Sequence, residues 1–405
     1  MPIQYMTDPQ LGAFLTANGN LDPSVRQAVL DQLNSLGIYN YPAEPDLTAV
    51  VQTGPNAPVD PSAQVLDISG PGSKSVTTGG ALEVIIDDVP GGTHLTVFGS
   101  KDTFIAASKG SNSILLADTG NDTVYSGSGN DTITGGEGSL YINSGAGNDS
   151  ISGSSGDNNY VDGGTGNDVV KTSGDNDTLI GGAGNDWLDG DFGDNQSIDG
   201  GAGNDTVFSG GDNATILGGA GNDSLDGNFG DNQSIDGGAG NDYLFAYGDN
   251  ATLIGGDGND YMDGGAGDNQ WMDGGNGNDT LYAGGDNATM SGGNGNDQFD
   301  AGDGDNQWLD GGAGNDTFYA GGDNNTLLGG AGNDVFHITD MTGSDTIDGG
   351  TGNNSVVFEG RAIQDFNDAT VSTVSGVTSI EFTDGQTVSV TNIKELHFTD
   401  GTHNL

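Results

Sequence analysis

The chain has 405 residues, of which 77 are glycine and 32% are hydrophobic, and this balance argues against ordinary globular domains with large apolar cores. Its formal net charge of −52 argues against electrostatic binding to nucleic acid or to anionic membranes. Because cysteine is absent, disulfides and thiolate metal sites are excluded.

Residues 1–40 predict two short helices. Asp8 and Asp22 each precede a proline, which is typical of a helix N-cap followed by proline at the first helical position. We interpret this segment as a small packing or capping element, with a helix pair that binds a partner as the alternative. No basic start and apolar run typical of a secretory signal is found in the first 30 residues, and we expect no membrane insertion.

Four further regions follow along the chain. Residues 41–64 contain five prolines and predict an extended linker. Residues 65–116 contain short β-type runs without an aspartate pattern, and we interpret them as an N-terminal β cap over a stacked solenoid. Residues 117–348 carry a regular repeat. Residues 349–405 predict a C-terminal β cap with strands at 356–358, 377–382, 386–390 and 395–398.

The repeat alternates the triplets Gly-Asn-Asp (GND) and Gly-Asp-Asn (GDN) without exception between Gly147 and Asp334. The GND aspartates recur every 18 or 19 residues in turn, so that the full period is 37 residues. The GND units of the regular repeats, such as GGAGNDWLD and GGAGNDTVF, fit GGxGxDxUx, where U is a large apolar residue, and this is the pattern of a calcium-binding β-helix repeat. The predicted fold is therefore an all-β, parallel β-roll solenoid of about 12 turns with two nonapeptides per turn.

The GDN unit differs when it is aligned on its own apolar residue. The position two residues before that apolar residue, which would bind metal, alternates between glutamine and alanine. Its occupants are Gln196, Ala214, Gln233, Ala251, Gln270, Ala288, Gln307 and Asn325. We therefore expect a roll with one calcium-bearing edge and one largely metal-free edge, where a long amide fills space left by its small neighbours. The alternative is that GDN also binds Ca²⁺ through a shifted register.

The candidate Ca²⁺ ligands on the first edge are the repeat aspartates, because carboxylates and loop carbonyls suit a hard, oxygen-seeking cation. They are Asp131, Asp149, Asp168, Asp186, Asp205, Asp223, Asp242, Asp260, Asp279, Asp297, Asp316 and Asp334. On the second edge, aspartate occupies the ligand position in three units, as Asp122, Asp177 and Asp345. We expect about 11–14 Ca²⁺ ions, with folding coupled to their binding.

The outward positions of the strands also follow the 37-residue period. Aspartate and an aromatic residue alternate in the GND strand, as in Asp226 and Phe245, and Trp187, Tyr243 and Tyr261 share that face. One interpretation is a surface for recognition or self-association. The other is that aromatic residues and threonine stabilise strands by cross-strand pairing.

Motifs for catalysis are not found in the sequence. It contains no HExxH, no GxSxG and no phosphate-binding loop, and its four histidines are scattered. The many carboxylates follow the spacing of metal ligands, so that paired-carboxylate catalysis cannot be argued from them. We expect the chain not to be an enzyme.

The segments GGAGNDWLD, GGAGNDTVF and GGAGNDSLD resemble the RTX, or hemolysin-type calcium-binding, repeats of exported Gram-negative proteins. The tail, with Phe398-Thr399-Asp400-Gly401-Thr402, is similar to the end of many such proteins. This resemblance implies type I secretion through an uncleaved C-terminal signal and folding outside the cell. Family rolls usually carry the motif on both edges, and the pore-forming segment of the toxins is missing here.

The resemblance leaves several functions open. We expect a secreted protein, extracellular or on the cell surface, that acts as a self-assembling component of an extracellular or biofilm matrix, a surface layer or an adhesion structure. Its partners would be Ca²⁺ and, through self-association or contact with polysaccharide, other extracellular material. The alternatives are a module that binds glycan or ice on one flat sheet, and an enzyme with an unrecognised site. Alanine usually replaces the threonine of ice-binding GTGND loops, as in Ala183 and Ala202, which argues against ice.

Overall fold

The computed structural model describes residues 4–6, 29, 49–52, 65–68, 74–77, 84–87, 91–92, 94–99, 102–107, 109–153, 155–339 and 343–405. The chain divides into two compact units, Met1–Thr206 and Val207–Leu405. Each unit is a parallel β-solenoid, and the two contain about 14 turns in all. The predicted all-β, β-roll fold is confirmed.

In each unit, the strands of successive turns form two sheets, which we call sheet A and sheet B. In the first unit, sheet A comprises Gln4–Met6, Ala49–Gln52, Val65–Ile68, Val84–Asp87, Phe104–Ala106, Asp122–Tyr125, Leu140–Asn143, Tyr160–Thr165, Thr178–Ala183 and Ser197–Ala202. Its sheet B comprises Lys74–Thr77, His94–Gly99, Ser113–Asp118, Thr132–Thr134, Ser150–Ser152, Val169–Lys171 and Trp187–Asp189. The next strand, Thr206–Phe208, lies at the boundary of the two units.

The second unit repeats this arrangement. Its sheet A comprises Thr215–Ala220, Ser234–Ala239, Thr252–Asp257, Trp271–Asn276, Thr289–Asn294, Trp308–Ala313, Thr326–Leu328, Ser344–Asp348, Thr370–Val374, Val377–Glu381 and Thr387–Thr391. Its sheet B comprises Ser224–Asp226, Tyr243–Phe245, Tyr261–Asp263, Thr280–Tyr282, Gln298–Asp300, Thr317–Ala320, Val335–Ile338, Ser355–Phe358, Glu395–Phe398 and Gly401–Asn404. The one helix that the structure describes from end to end is Ile363–Asp368.

The core lies between the two sheets, because strand side chains alternate between the inner and outer faces. The apolar residue of every repeat points inward, as Leu253 and Met272 do in sheet A and Leu244 does in sheet B, all with no exposed surface. In the second unit, Phe299, Phe318 and Phe336 stack face to face with ring centroids 4.7 Å apart. In the repeats, the core of each unit is therefore built from two columns of apolar side chains, one from each sheet, whereas terminal strands such as Val335–Ile338 bury two such residues.

The parallel ladder begins earlier in the chain than the aspartate repeat. Val65–Ile68 pairs in parallel with Ala49–Gln52 on one side and with Val84–Asp87 on the other. The segment predicted as a β cap thus continues the same ladder, which also includes a strand in the predicted linker. Gln4–Met6 pairs antiparallel with Ala49–Gln52. Of the segment predicted to be helical, the structure describes the strand Gln4–Met6 and Val29, which is helical. The rest of that prediction lies outside the described residues.

The C-terminal strands close the second unit by changing from parallel to antiparallel pairing. Thr387–Thr391 pairs in parallel with Ser344–Asp348, and Val377–Glu381 then pairs antiparallel with Thr387–Thr391. The buried guanidinium of Arg361 lies 4.1 Å from the ring centroid of Phe382 and donates to Asp384. These contacts cover the last apolar layer. No helix among the described residues is long and apolar enough to cross a membrane.

Candidate metal centres

Two kinds of loop connect the sheets within each unit. The GND loops lead from sheet A to sheet B, and the GDN loops lead from sheet B back to sheet A, so that each kind forms one edge of the solenoid. The asparagine of each GDN loop adopts a left-handed conformation, as Asn250 and Asn269 do with φ of 60° and 59°. In the GND loops, glycine takes the positive φ instead, as Gly258 does at 145°. The two triplets are therefore different turns.

The structure buries all the predicted ligands. The twelve aspartates of the GND edge are Asp131, Asp149, Asp168, Asp186, Asp205, Asp223, Asp242, Asp260, Asp279, Asp297, Asp316 and Asp334, and their exposed fractions are 0–3%. Asp122, Asp177 and Asp345 lie on the GDN edge and are also buried. Buried carboxylates are rare unless they are paired or coordinate a metal.

Within each unit, backbone hydrogen bonds between turns hold one oxygen of the GND carboxylates. In the first unit, the N–H of Asp149 donates to Oδ1 of Asp168 over 2.7 Å. In the second unit, the N–H groups of Asp242 and Asp260 donate over 2.8 Å to Oδ1 of Asp260 and Asp279, respectively. The aspartates thus form a ladder along the edge within each unit, with a fixed orientation at every turn.

The other carboxylate oxygen is buried without a hydrogen-bond donor. This holds for Oδ2 of ten described aspartates: Asp131, Asp149, Asp168, Asp186, Asp242, Asp260, Asp279, Asp297, Asp316 and Asp334. A Cβ atom added to Gly181 would lie 2.6 Å from Oδ2 of Asp186 and 2.6 Å from the carbonyl oxygen of Gly200. Glycine therefore leaves open a space where a carboxylate oxygen and a carbonyl oxygen face each other. Two acceptors without a donor suit a hard cation between them.

Burial changes the acidity of these carboxyl groups. Desolvation raises the pKa of Asp131, Asp168 and Asp297 to about 7, although the backbone hydrogen bond from the neighbouring turn lowers it. In five further aspartates, desolvation outweighs the same backbone hydrogen bond and raises the pKa to about 6. They are Asp186, Asp242, Asp260, Asp279 and Asp316. The ionised ladder is thus disfavoured in the folded chain unless cations neutralise it.

The donor atoms at each GND turn come from one side chain and from the backbone. Among the described residues, no group of three or more aspartate, glutamate, histidine or cysteine side chains converges on a point. One carboxylate per turn, together with glycine carbonyls of that turn and the next, is an all-oxygen set of the kind that Ca²⁺ prefers. The residues present therefore fit Ca²⁺, and binding would stabilise the ionised form of each aspartate.

The GDN edge presents its own aspartates to solvent. In the second unit, the N–H of Asp268 donates to Oδ1 of Asp249 over 2.9 Å, and the same bond joins Asp249 to Asp231. These carboxylates are exposed, and the structure thereby agrees with the prediction that they are not in the ligand position. The buried position holds glutamine and alanine as predicted, because Gln270 and Ala251 are 1% exposed.

The three predicted ligands on the GDN edge have different surroundings from those on the GND edge. Both carboxylate oxygens of Asp177 accept from Nδ2 of Asn159, over 3.0 and 3.1 Å, and Oδ1 also accepts from its N–H. Asp122 accepts from the N–H of Thr103, and Asp345 accepts from the N–H of Asn325. The side-chain amide of Asn159 thus already donates to both carboxylate oxygens of Asp177.

Sequence reasoning did not identify the amide contacts of the GDN edge or the aromatic residues of its loops. Phe229 and Tyr247 lie in GDN loops with ring centroids 5.6 Å apart, and Phe229 is 74% exposed. The alternation of 18- and 19-residue turns is a signal for these loops, because the extra residue of the longer turn lies in the GDN loop.

Comparison with known proteins places these repeats in a family. The model of the RTX calcium-binding nonapeptide repeat (4 copies) matches residues 109–139, 141–161, 162–196, 197–216, 208–244, 217–253, 236–270, 273–307, 302–336 and 337–359. No curated protein matches the chain. The family model covers more than half of the chain, including every aspartate of the GND edge. The chain therefore belongs to the RTX calcium-binding repeat family and is a calcium-binding β-roll protein.

Proposed function

We propose that the chain binds about 11–14 Ca²⁺ ions, most of them on the GND edge, and that above about pH 7 the turns fold only when these ions are bound. The observation that carries this proposal is the series of buried Oδ2 atoms without a donor, most of which lie beside a glycine carbonyl oxygen of the next turn. An isolated buried charge is very unfavourable, so that a row of them needs a counter-ion at every turn. The aspartates that we assign as ligands are the twelve of the GND edge, with Asp122, Asp177 and Asp345 as further candidates.

Circular dichroism of the purified full chain tests this coupling. The chain is first measured with EGTA and then with added Ca²⁺, with Mg²⁺ as the control cation. We expect the β signal to be lost on chelation and restored by Ca²⁺. A β signal that chelation leaves unchanged would contradict the coupling of folding to calcium.

We further propose that the chain is exported, folds outside the cell and acts there as a structural component of a matrix, surface layer or adhesion structure. Proteins of the RTX repeat family are typically secreted, which supports the location. A rigid stack of parallel turns with little helix among the described residues suits a structural role. Electron micrographs of the purified protein should show Ca²⁺-dependent polymers, and particles that stay single with Ca²⁺ would argue against self-assembly.

A second candidate function is glycan binding on the outer face of sheet B in the second unit. On that face, Tyr261 lies 6.0 Å from both Tyr243 and Phe245 between ring centroids, and Tyr247 and Phe229 of the adjoining GDN loops extend the cluster at 6.4 and 5.6 Å. Phe229 and Tyr243 are exposed, and the other three rings are half-buried. Tyr243 is 56% exposed, and flat rings of this kind bind the apolar faces of sugars. Glycan-array binding that is lost in Tyr243→Ala with Tyr261→Ala, and kept in Thr280→Ala, would support this function.

A further inference from the structure

The glutamine side chains of the GDN edge lie among backbone carbonyl oxygens. Nε2 of Gln270 donates to the carbonyl oxygens of Ala246, Gly248 and Gly264 over 3.0, 3.2 and 2.5 Å. Gln307 repeats this arrangement two turns later, with distances of 3.0, 2.8 and 2.9 Å to its three carbonyl oxygens. Both side chains are 1% exposed, so that water does not compete for these oxygens.

The loops are built around this amide. A Cβ atom on Gly264 would lie 1.8 Å from Oε1 of Gln270, and one on Gly267 would lie 2.6 Å from Nε2. Each of these glutamines lies in a 19-residue turn, whereas the 18-residue turns between them carry Ala251 or Ala288 at this position. In Gln270, the carbonyl of Gly264 comes from its own longer loop, and the other two come from the preceding turn. The 37-residue period thus has a physical reason, because one loop is lengthened for the amide and the next is not.

The last turn of the GND edge provides an internal comparison. Asn354 stands where the aspartate ladder would continue, and its Oδ1 accepts the N–H of Asp334 over 2.9 Å, as the aspartates do. Its Nδ2 donates to the carbonyl oxygens of Gly349 and Asn392 over 2.5 and 3.2 Å. At the preceding turn, Oδ2 of Asp334 has no donor and lies beside Gly329. An amide nitrogen therefore lies where the aspartate turns have only acceptors.

We propose that these side-chain amides take the place of the cation: Gln233, Gln270 and Gln307 on the GDN edge, and Asn354 at the end of the GND ladder. An NH₂ group supplies two N–H donors to converging carbonyl oxygens, which a bound Ca²⁺ would otherwise coordinate. The GDN edge is then held without metal at the glutamine turns, and Asn354 ends the calcium column without leaving an unpaired carboxylate. This inference rests on the proposed binding of Ca²⁺ to the GND edge.

Replacing an amide by a carboxylate tests the inference, because it exchanges the donor for an oxygen that faces carbonyl oxygens. Bound Ca²⁺ per chain is counted by elemental analysis of the full protein after free Ca²⁺ is removed. We expect Asn354→Asp and Gln270→Glu each to bind one more ion than the natural chain. We also expect each to need more Ca²⁺ to reach half of its β signal.

Matched controls make the same exchange of an amide for a carboxylate at exposed positions, away from the converging carbonyl oxygens. Gln298→Glu lies on the exposed outer face of sheet B, and Asn353→Asp is exposed beside Asn354. Neither control should change the ion count. Equal counts in the natural chain, Asn354→Asp and Gln270→Glu would overturn the inference, while a natural chain that binds no Ca²⁺ would overturn the proposed function instead. If Gln270→Glu does not fold, Asn354→Asp at the end of the ladder decides the question.

Discussion

The GND and GDN edges belong to the same parallel turns, yet the side chains that face their buried carbonyl oxygens differ. On the GND edge, Oδ2 of Asp260 meets a carbonyl oxygen without a donor between them. On the GDN edge, Nε2 of Gln270 meets three carbonyl oxygens and donates to them. The difference between the edges comes down to the exchange of one oxygen for one NH₂ group. If the proposed roles hold, dependence on Ca²⁺ should differ between the two edges and from turn to turn.

The largest expected effect concerns the whole aspartate column and its pH dependence. In the metal-free fold, burial raises the pKa of eight GND carboxyls from 3.8 to about 6 or about 7, as it does for Asp260 and Asp168, respectively. A raised folded-state pKa gives stability that is present below the unfolded value and is lost as the pH rises through the folded value. We therefore expect the EGTA-treated chain to be unfolded at pH 8 and to gain β signal as the pH falls from about 7 towards about 4.

Far-UV and near-UV circular dichroism across this range measure the effect. The near-UV signal of the tryptophans distinguishes native packing from a collapsed acid state. With saturating Ca²⁺, the same scan should show less change above pH 7, where the ions hold the carboxylates ionised. A metal-free β signal that is strongest at pH 8 would contradict the account.

A single substitution at one turn should have a smaller effect. Asp260→Ala removes a proposed ligand and also removes the acceptor for the buried N–H of Asp242. The unsatisfied donor costs about 1–3 kcal/mol of unfolding free energy, in addition to the loss of bound Ca²⁺. Asp260→Asn keeps Oδ1 and introduces an amide as in Asn354, and so we expect it to lose Ca²⁺ but to retain most of its stability.

Urea unfolding with an ion count on each variant measures the difference. Asp249→Ala is the matched control on the GDN edge, because its Oδ1 also accepts an inter-turn N–H but is exposed. This control should leave the ion count unchanged. Equal losses of Ca²⁺ in Asp260→Ala and Asp249→Ala would show that the two edges do not differ as proposed.

A methyl group in the space beside one GND carboxylate should destabilise the fold by a similar or slightly smaller amount than Asp260→Ala. A Cβ atom on Gly274 would lie 2.5 Å from Oδ2 of Asp279 and 2.8 Å from the carbonyl oxygen of Gly292. We expect Gly274→Ala to lower the free energy of unfolding by about 1–3 kcal/mol and to weaken Ca²⁺ binding at that turn.

The control is Gly284→Ala in a GDN loop, where the nearest atom is the hydroxyl of Tyr282 at 3.0 Å, which can move aside. Calcium titrations followed by circular dichroism compare the two variants. If Gly274→Ala reaches half of its β signal at the same Ca²⁺ concentration as the natural chain, this would argue that no ion lies in the space beside Gly274.

Much of this site follows from sequence periodicity. The 37-residue period, the inward apolar residues and the buried aspartates were all predicted, because a stacked fold repeats one local geometry at every turn. Alignment on the apolar residue also placed Gln270 and Ala251 inside, as the structure has them. What the alignment could not give was the direction of each polar atom, since that depends on the path of the loops.

The remaining differences involve pairing between distant segments. Gln4–Met6 pairs with Ala49–Gln52 across a segment that carries no repeat, and periodicity gives no information about such a contact. The helix Ile363–Asp368 is too short for a recognisable apolar stripe, and so sequence analysis missed it. Asn354 replaces the repeat aspartate, and yet the structure shows it as the last member of the hydrogen-bonded ladder.

The central claim is that one edge of the solenoid binds calcium and the other is held by amides. The number of Ca²⁺ ions bound per chain tests it most directly, measured by elemental analysis of the folded full-length protein after free Ca²⁺ is removed. A one-edge arrangement predicts about 11–14 ions. A count of about twenty or more would mean that the GDN edge also binds Ca²⁺ and would contradict the claim.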